Sequence, residues 1–371
     1  MPEPEIQITG PKQKRPQDWR KSLKSSLFKS SLFTFLFDDW VNESYVSILE
    51  NHVIYLTTKN ECFQFRVDGR RIIRERIFSL ECTHIEADTR IIFHLIHSLR
   101  ENPKATISVR ANDTDIFLLL VFHVKQHQLM HNTLPIVWVD AGLSSDNTRR
   151  NVSISELVSK VDAHVISALP GLHAMTGTDY TPSFNHKGKV RPFTIMCKNK
   201  DLCDAFSQLG ESDINIQIVT KKLEGWVCEI YGKPKLNSVN KARLAMFEQK
   251  YKPKNRGDFL EMVKGANPSL FPPCSASLKN QVLRAHLVSS LWKNSGKPMP
   301  LKLVPEENGW KMVNGQYWMN WYDCTQLPNS LSDCLLKNPL DNGIDSDEEI
   351  NFGDNIYGRD ASSDEDSDAD W

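Results

Sequence analysis

No stretch of the 371-residue sequence approaches ~18 consecutive apolar residues, so a membrane-crossing helix is not expected. The opening, MPEPEIQITGPKQKRPQDW, lacks the apolar core of a secretory signal. Cysteine is sparse, with eight in the chain, and no two form a C-x-x-C pair. That argues against a disulfide framework and a zinc ribbon; reduced thiols in a nuclear or cytosolic protein are expected instead. G-x-S-x-G, Walker A and G-x-G-x-x-G are all missing. The common signatures of serine hydrolases, P-loop NTPases and dinucleotide-binding enzymes go with them. Net charge is nearly missing too, at −1.

That small total conceals a split. Residues 341–371 carry 12 acids and one base, Arg359, while the first 340 residues carry 44 bases and 34 acids, a net of +10. A basic body suits a polyanionic partner, and an acidic tail competes with that partner or repels it. The tail also offers a surface to a basic protein such as a histone. Few apolar groups occur from residue 336 to 371, so this tail is expected to be disordered.

Residues 1–30 read as a basic extended arm, in which PKQKRP (11–16) is a weak nuclear-import pattern. Ser26–Trp40 is Phe-rich and fits a helix or a strand. HVIYLTT and ECFQFRV alternate on either side of Lys59-Asn60 and predict a β-hairpin. Ile91, Ile92, Leu95, Ile96 and Leu99 give Thr83–Arg100 the apolar face of a helix. ATISVRA (Ala105–Ala111) predicts a strand, Asp113–His131 a helix, and PIVWVDAG (Pro135–Gly142) a buried parallel strand. Helices are expected again at Ser153–Val161 and His164–Thr176. Such alternation implies an α/β domain over residues 31–200, with a mainly parallel sheet covered on both faces. From 201 to 335 the pattern predicts a mostly helical accessory region, with helices at Ser238–Lys250 and Ser275–Lys293. Asn314-Gly315 between aromatic runs predicts a hairpin there.

Three acidic clusters stand where helices or turns begin: Glu86 and Asp88 in HIEADTR, Asp113 and Asp115 in ANDTD, and Asp179 in TGTDYTP. In a parallel sheet the loops at the C-terminal strand edge share one crevice, where separate acids can converge. Converging carboxylates repel one another unless a cation sits among them, and an all-oxygen set suits Mg²⁺ or Mn²⁺. Each cluster also has a structural explanation. Thr83-x-x-Glu86 matches a capping box, Asp113 or Asp115 suits an N-cap, and Asp179 suits a turn.

Glu86-Ala87-Asp88, then Asp113-x-Asp115, then Gly177-Thr178-Asp179-Tyr180-Thr181-Pro182 resembles the flap-endonuclease/XPG branch of the PIN-like nucleases. It also resembles uncharacterised animal proteins, some with the look of mobile-element derivatives, that share an EADTR…DTD…HAxTGxD pattern. The likeness spans about residues 35–200. It implies a three-layer PIN-like α/β/α fold and a divalent-metal-dependent nuclease acting on DNA ahead of RNA. Glu86, Asp88, Asp113, Asp115 and Asp179 would be its catalytic and metal-binding acids. Lys187, Lys189 and Arg191 would hold the nucleic-acid backbone. The family opens with a strand ending in a metal-binding Asp; here only Asp38 or Asp39, after FTFLF, stands near that place. Beyond Asp179 the family carries a G-x-G hairpin, whereas SFNHKGKVRPF has one glycine. Both departures favour the alternative of a catalytically incomplete module that binds nucleic acid or protein.

His123, His127 and His131 share one helix face, which reads as a solvated polar stripe rather than a zinc site. His173 reads as a core residue. Trp292, Trp310, Tyr317, Trp318, Trp321 and Tyr322 read as packing of a small subdomain rather than a stacking surface for bases.

Overall fold

Short polar residues start the first helices. In the computed structural model, which describes residues 8, 10, 12–143, 147–250 and 267–321, Asp18 accepts the Lys21 N–H at 2.9 Å and caps α1 (Trp19–Ser22). Ser25 likewise caps α2 (Ser26–Asp39). The expected extended arm is therefore helical from Trp19, and the undecided Phe-rich run is a helix. The acidic tail lies outside the described residues.

Helix α2 and the short α3 (Val46–Leu49) lie on an antiparallel meander of β1 (Val53–Thr58), β2 (Glu61–Asp68) and β3 (Arg71–Arg76). The predicted hairpin is present, with Thr58 opposite Glu61 across Lys59-Asn60. Its third strand, RIIRER, has only Ile72 buried, too weak an apolar pattern to announce a strand. Leu49, Phe65 and Ile72 form the meander's own small core, with Phe37 and Trp40 packed on it.

After α4 (Ala87–Glu101) come β4 (Thr106–Arg110), α5 (Thr114–His131), β5 (Ile136–Ala141), β6 (Arg150–Ser153), α6 (Ile154–Lys160) and α7 (Ala163–Thr176). Strands β4 and β5 are parallel, with Arg110 opposite Asp140; β6 returns antiparallel, with Asn151 opposite Asp140. Only eight residues join β5 to β6, too few for a parallel crossover of a dozen or more. Gly142 opens this connection at φ +81°, where a Cβ would stand 2.2 Å from the Thr148 carbonyl oxygen. The expected mainly parallel sheet is thus a small mixed one. Val109, Val137 and Val139 face the main core. Thr106, Ser108, Arg110, Ile136 and Trp138 alternate with them and are exposed, so among the described residues no layer covers the second face.

Helices α8 (Val190–Cys197), α9 (Lys200–Gln208), α10 (Ile216–Ile230), α11 (Val239–Lys250) and α12 (Ser275–Lys293) follow. The expected boundary near residue 200 does not separate two cores. One apolar cluster runs from Ile92 through Phe206 and Trp226 to Trp292. At its centre Gly171 of α7 meets the Phe206 carbonyl so closely that a Cβ would lie 2.3 Å from it. Hairpin β7 (Trp310–Val313) and β8 (Gln316–Met319) turns on Asn314 and Gly315, both at positive φ as such a tight turn needs. Its Tyr317 and Trp318, and the following Trp321, are exposed, unlike the buried Trp292, so packing accounts for only part of the aromatic set. On α5, His123 and His127 are buried, not solvated; His123 Nε2 meets the Trp292 carbonyl at 2.9 Å. Among the described residues no helix is long and apolar enough to cross a membrane.

Candidate metal centre

The predicted acids enter from three chain segments. Glu86 is the N-cap residue of α4, yet its side chain makes no capping bond, and Asp88 lies in the first turn. The capping box is absent because the helix starts at Ala87, which leaves Thr83 outside it, its N–H donated to the Pro298 carbonyl at 2.9 Å. Asp113 does cap α5, its Oδ1 accepting the Asp115 N–H at 2.9 Å. Asn112 Oδ1 accepts the Gly142 N–H at 2.8 Å and fastens this loop to the end of β5. Asp179 is exposed on a tight turn closed by reciprocal backbone hydrogen bonds between Thr178 and Thr181, at 3.0 and 3.2 Å. Gly177 enters that turn at φ +117°, and a Cβ there would collide with Ser183.

Asp88, Asp113 and Asp115 each offer a carboxylate oxygen, and the three lie within 4.8 Å of one another. Opposite ligands of one ion stand about 4.2 Å apart around Mg²⁺ and about 5 Å around Ca²⁺. Oxygen donors at this spacing fit a hard divalent cation. The mutual repulsion fits one as well. Burial pushes the Asp88 carboxyl up, and the charges of Asp113, Glu86, Asp115 and Asp179 push it further, to about 6. The other four predicted acids therefore all act on Asp88.

The acids are held differently. His173, buried on α7, puts Nε2 2.7 Å from Asp115 Oδ1. Burial raises the Asp115 carboxyl, but the His173 hydrogen bond and the charges of His173 and Lys189 outweigh it, so its pKa falls. An ionised carboxylate only accepts, so His173 Nε2 carries the donated hydrogen. The His173 ring lies against Trp292, centroids 5.7 Å apart. Glu86 is raised by burial and by Asp115 and Asp179, against the lowering influence of the Tyr180 hydroxyl and the Trp292 indole. Asp88 receives no such help: every influence on it raises its pKa.

The three predicted phosphate-holding cations lie close by in sequence but face different groups. Lys187 stands 4.4 Å over the Tyr231 ring, Lys189 donates to the Gly177 carbonyl, and Arg191 donates to the Glu229 carbonyl at 3.3 Å. Burial of the Lys189 ammonium lowers its pKa to about 8, against the pull of Asp115. Asp38 and Asp39 are engaged in the meander. Asp38 pairs with Arg74 at 3.3 Å, and Asp39 accepts the Tyr45 hydroxyl at 2.6 Å. Neither belongs to the carboxylate group.

Sequence reasoning missed the influence of Tyr180 and Trp292 on Glu86, and it placed His173 in the core, where it is buried, without its Asp115 partner. Tyr180 follows Asp179 directly and was the one legible signal; Trp292 lies over a hundred residues away. Compared with known proteins, the chain matches no family profile, no curated protein and no solved structure.

Proposed function

We propose that this chain is a divalent-cation-dependent nuclease that hydrolyses phosphodiester bonds, with DNA as the first substrate to test. The convergence of Asp88, Asp113 and Asp115 within 4.8 Å carries this reading. The order of the E-A-D, D-x-D and G-x-D-Y segments, which resembles the flap-endonuclease branch of PIN-like folds, supports it. A bound Mg²⁺ or Mn²⁺ supplies polarisation of a phosphoryl oxygen and acidification of water. The protein's share is to hold that centre. His173 and Lys189 keep Asp115 ionised and fixed. Tyr180 and Trp292 favour the charged form of Glu86. Asp179 adds negative charge from the rim. A PIN-like ancestry with a reduced sheet is part of the same reading.

The engagement of Asp38 and Asp39 elsewhere favours a second reading, a module that binds nucleic acid without cutting it. One experiment separates them. Labelled flap and single-stranded DNA are incubated with Mg²⁺ or Mn²⁺ and either the wild-type protein or Asp113→Ala/Asp115→Ala. Cleavage by wild type that the double variant loses is the expected result. No cleavage by wild type, or equal cleavage by both, sinks the nuclease; salt-dependent binding without cleavage supports the second reading.

A further inference from the structure

Resting on the nuclease reading, we propose that Arg110 and Arg149 clamp a backbone phosphate of an unpaired nucleic-acid strand beside the carboxylate cluster, with Trp138 as a stacking surface for one of its bases. Arg110 is the last residue of β4 and lies opposite Asp140 of β5. Its guanidinium reaches Asp140 Oδ1 at 2.8 Å and also donates to the Gly142 carbonyl. Arg149 approaches the same carboxylate from the other side, Nε to Oδ1 at 2.9 Å and a terminal nitrogen to Oδ2 at 2.8 Å.

One carboxylate thus stands between two guanidiniums, leaving an excess of one positive charge. The exposures decide what a ligand meets. The Asp140 side chain is 12% exposed, while those of Arg110 and Arg149 are 47% and 56% exposed. The acid lies beneath and the cations lie above. Arg149 gives Asp140 its Nε and one terminal nitrogen, and more than half of its side-chain surface stays exposed. A guanidinium held in place by a carboxylate is preorganised for phosphate oxygens, which it binds as a planar fork.

Position links this pair to the carboxylates. Arg110 precedes Asp113 by three residues, a chain span of at most about 11 Å. Asn112 fastens the intervening loop to Gly142, which Arg110 also grips. The exposed sheet face supplies the remaining element. Trp138 lies two residues before Asp140, on the same face, and is 38% exposed. Aromatic rings beside basic side chains bind unpaired strands with little regard to sequence, since every base has a stacking face. Phosphate contacts carry no sequence information either.

The test measures binding separately from cleavage. Full-length protein carrying Asp113→Ala/Asp115→Ala is titrated into a fluorescent single-stranded oligonucleotide of about 20 nucleotides, across roughly 50–300 mM salt. Arg110→Gln, Arg149→Gln and Trp138→Ala are added singly. Glutamine still donates to Asp140, so the fold is retained, and thermal melts verify it. Each Arg→Gln variant is expected to weaken binding several-fold and to reduce the slope of log K against log salt by about 0.7. Trp138→Ala is expected to weaken it about tenfold with the slope unchanged. A purely structural role for the arginines would leave the slope untouched. Unchanged affinity and slope overturn the clamp, and cleavage by wild type would still leave the nuclease standing. Changed slopes without wild-type cleavage keep the clamp and remove the nuclease. No binding at the lowest salt overturns the clamp, and wild-type cleavage decides the nuclease separately.

Discussion

Asp38 and Asp39, at the end of the helix that covers the meander, are each given a partner: Arg74 for one, the Tyr45 hydroxyl for the other. Asp88, Asp113 and Asp115, in the helical body, are set against one another, with His173 bonded to Asp115. The meander spends its acids on local ties over a small core of Leu49, Phe65 and Ile72. The body places carboxylates together over a core that reaches from Ile92 to Trp292. Repelling charges persist only where the surrounding packing over-determines their positions. The large core can do this, because α4 and α5 begin at the same place and α7 sets His173 against Asp115.

Damage to the two cores is therefore expected to separate in its effect on the acids. Trp292→Ala is expected to cost about 3–5 kcal/mol in urea unfolding and to release Glu86, lowering divalent-cation affinity in calorimetric titration. Phe65→Ala, in the meander, is expected to cost a similar ~3–5 kcal/mol while cation affinity stays at the wild-type value. Equal loss of affinity in both would erase the distinction.

His173→Ala sharpens the comparison at a single carboxylate. Cation affinity is expected to fall by about 10–100-fold, because Asp115 loses the donor that orients it and favours its charge. Unaltered affinity would reduce His173 to a core residue.

Asp88 gives the body a pH dependence. Its carboxyl takes up a proton more readily in the folded chain than in the unfolded one. Stability without a cation is therefore expected to fall as pH rises from about 4 to about 6. Asp88→Asn should remove that fall and exceed the wild type in melting temperature at neutral pH in EDTA. Added Mn²⁺ should reverse the ranking. Parallel melts across this range, with and without Mn²⁺, check the sign.

The smallest effect belongs to the meander. Asp38 is 69% exposed in its pair with Arg74, so Asp38→Asn is expected to cost less than ~1 kcal/mol and to leave cation affinity alone. A loss of cation binding in this variant would mean that Asp38 reaches the cluster after all.

The acids were legible in the sequence because each stands at a helix start or a turn, where short polar residues announce themselves locally. Helices α4, α5, α6, α7, α11 and α12 were legible in the sequence, as was the β7–β8 turn from Asn314-Gly315, whereas α8, α9 and α10 were not individually read. The count and direction of the strands were not. A short β5–β6 connection left one face of the sheet without a covering layer among the described residues, and RIIRER pairs as a strand with one buried side chain. Nor were the partners of the acids legible. Trp292 comes to Glu86, and His173 to Asp115, only because α12 and α7 pack into one core. By itself the sequence determined which groups carry charge and where helices and turns begin, since those depend on neighbouring residues along the chain. Only the tertiary structure decided which carboxylates meet and which find partners, because long-range packing sets those distances.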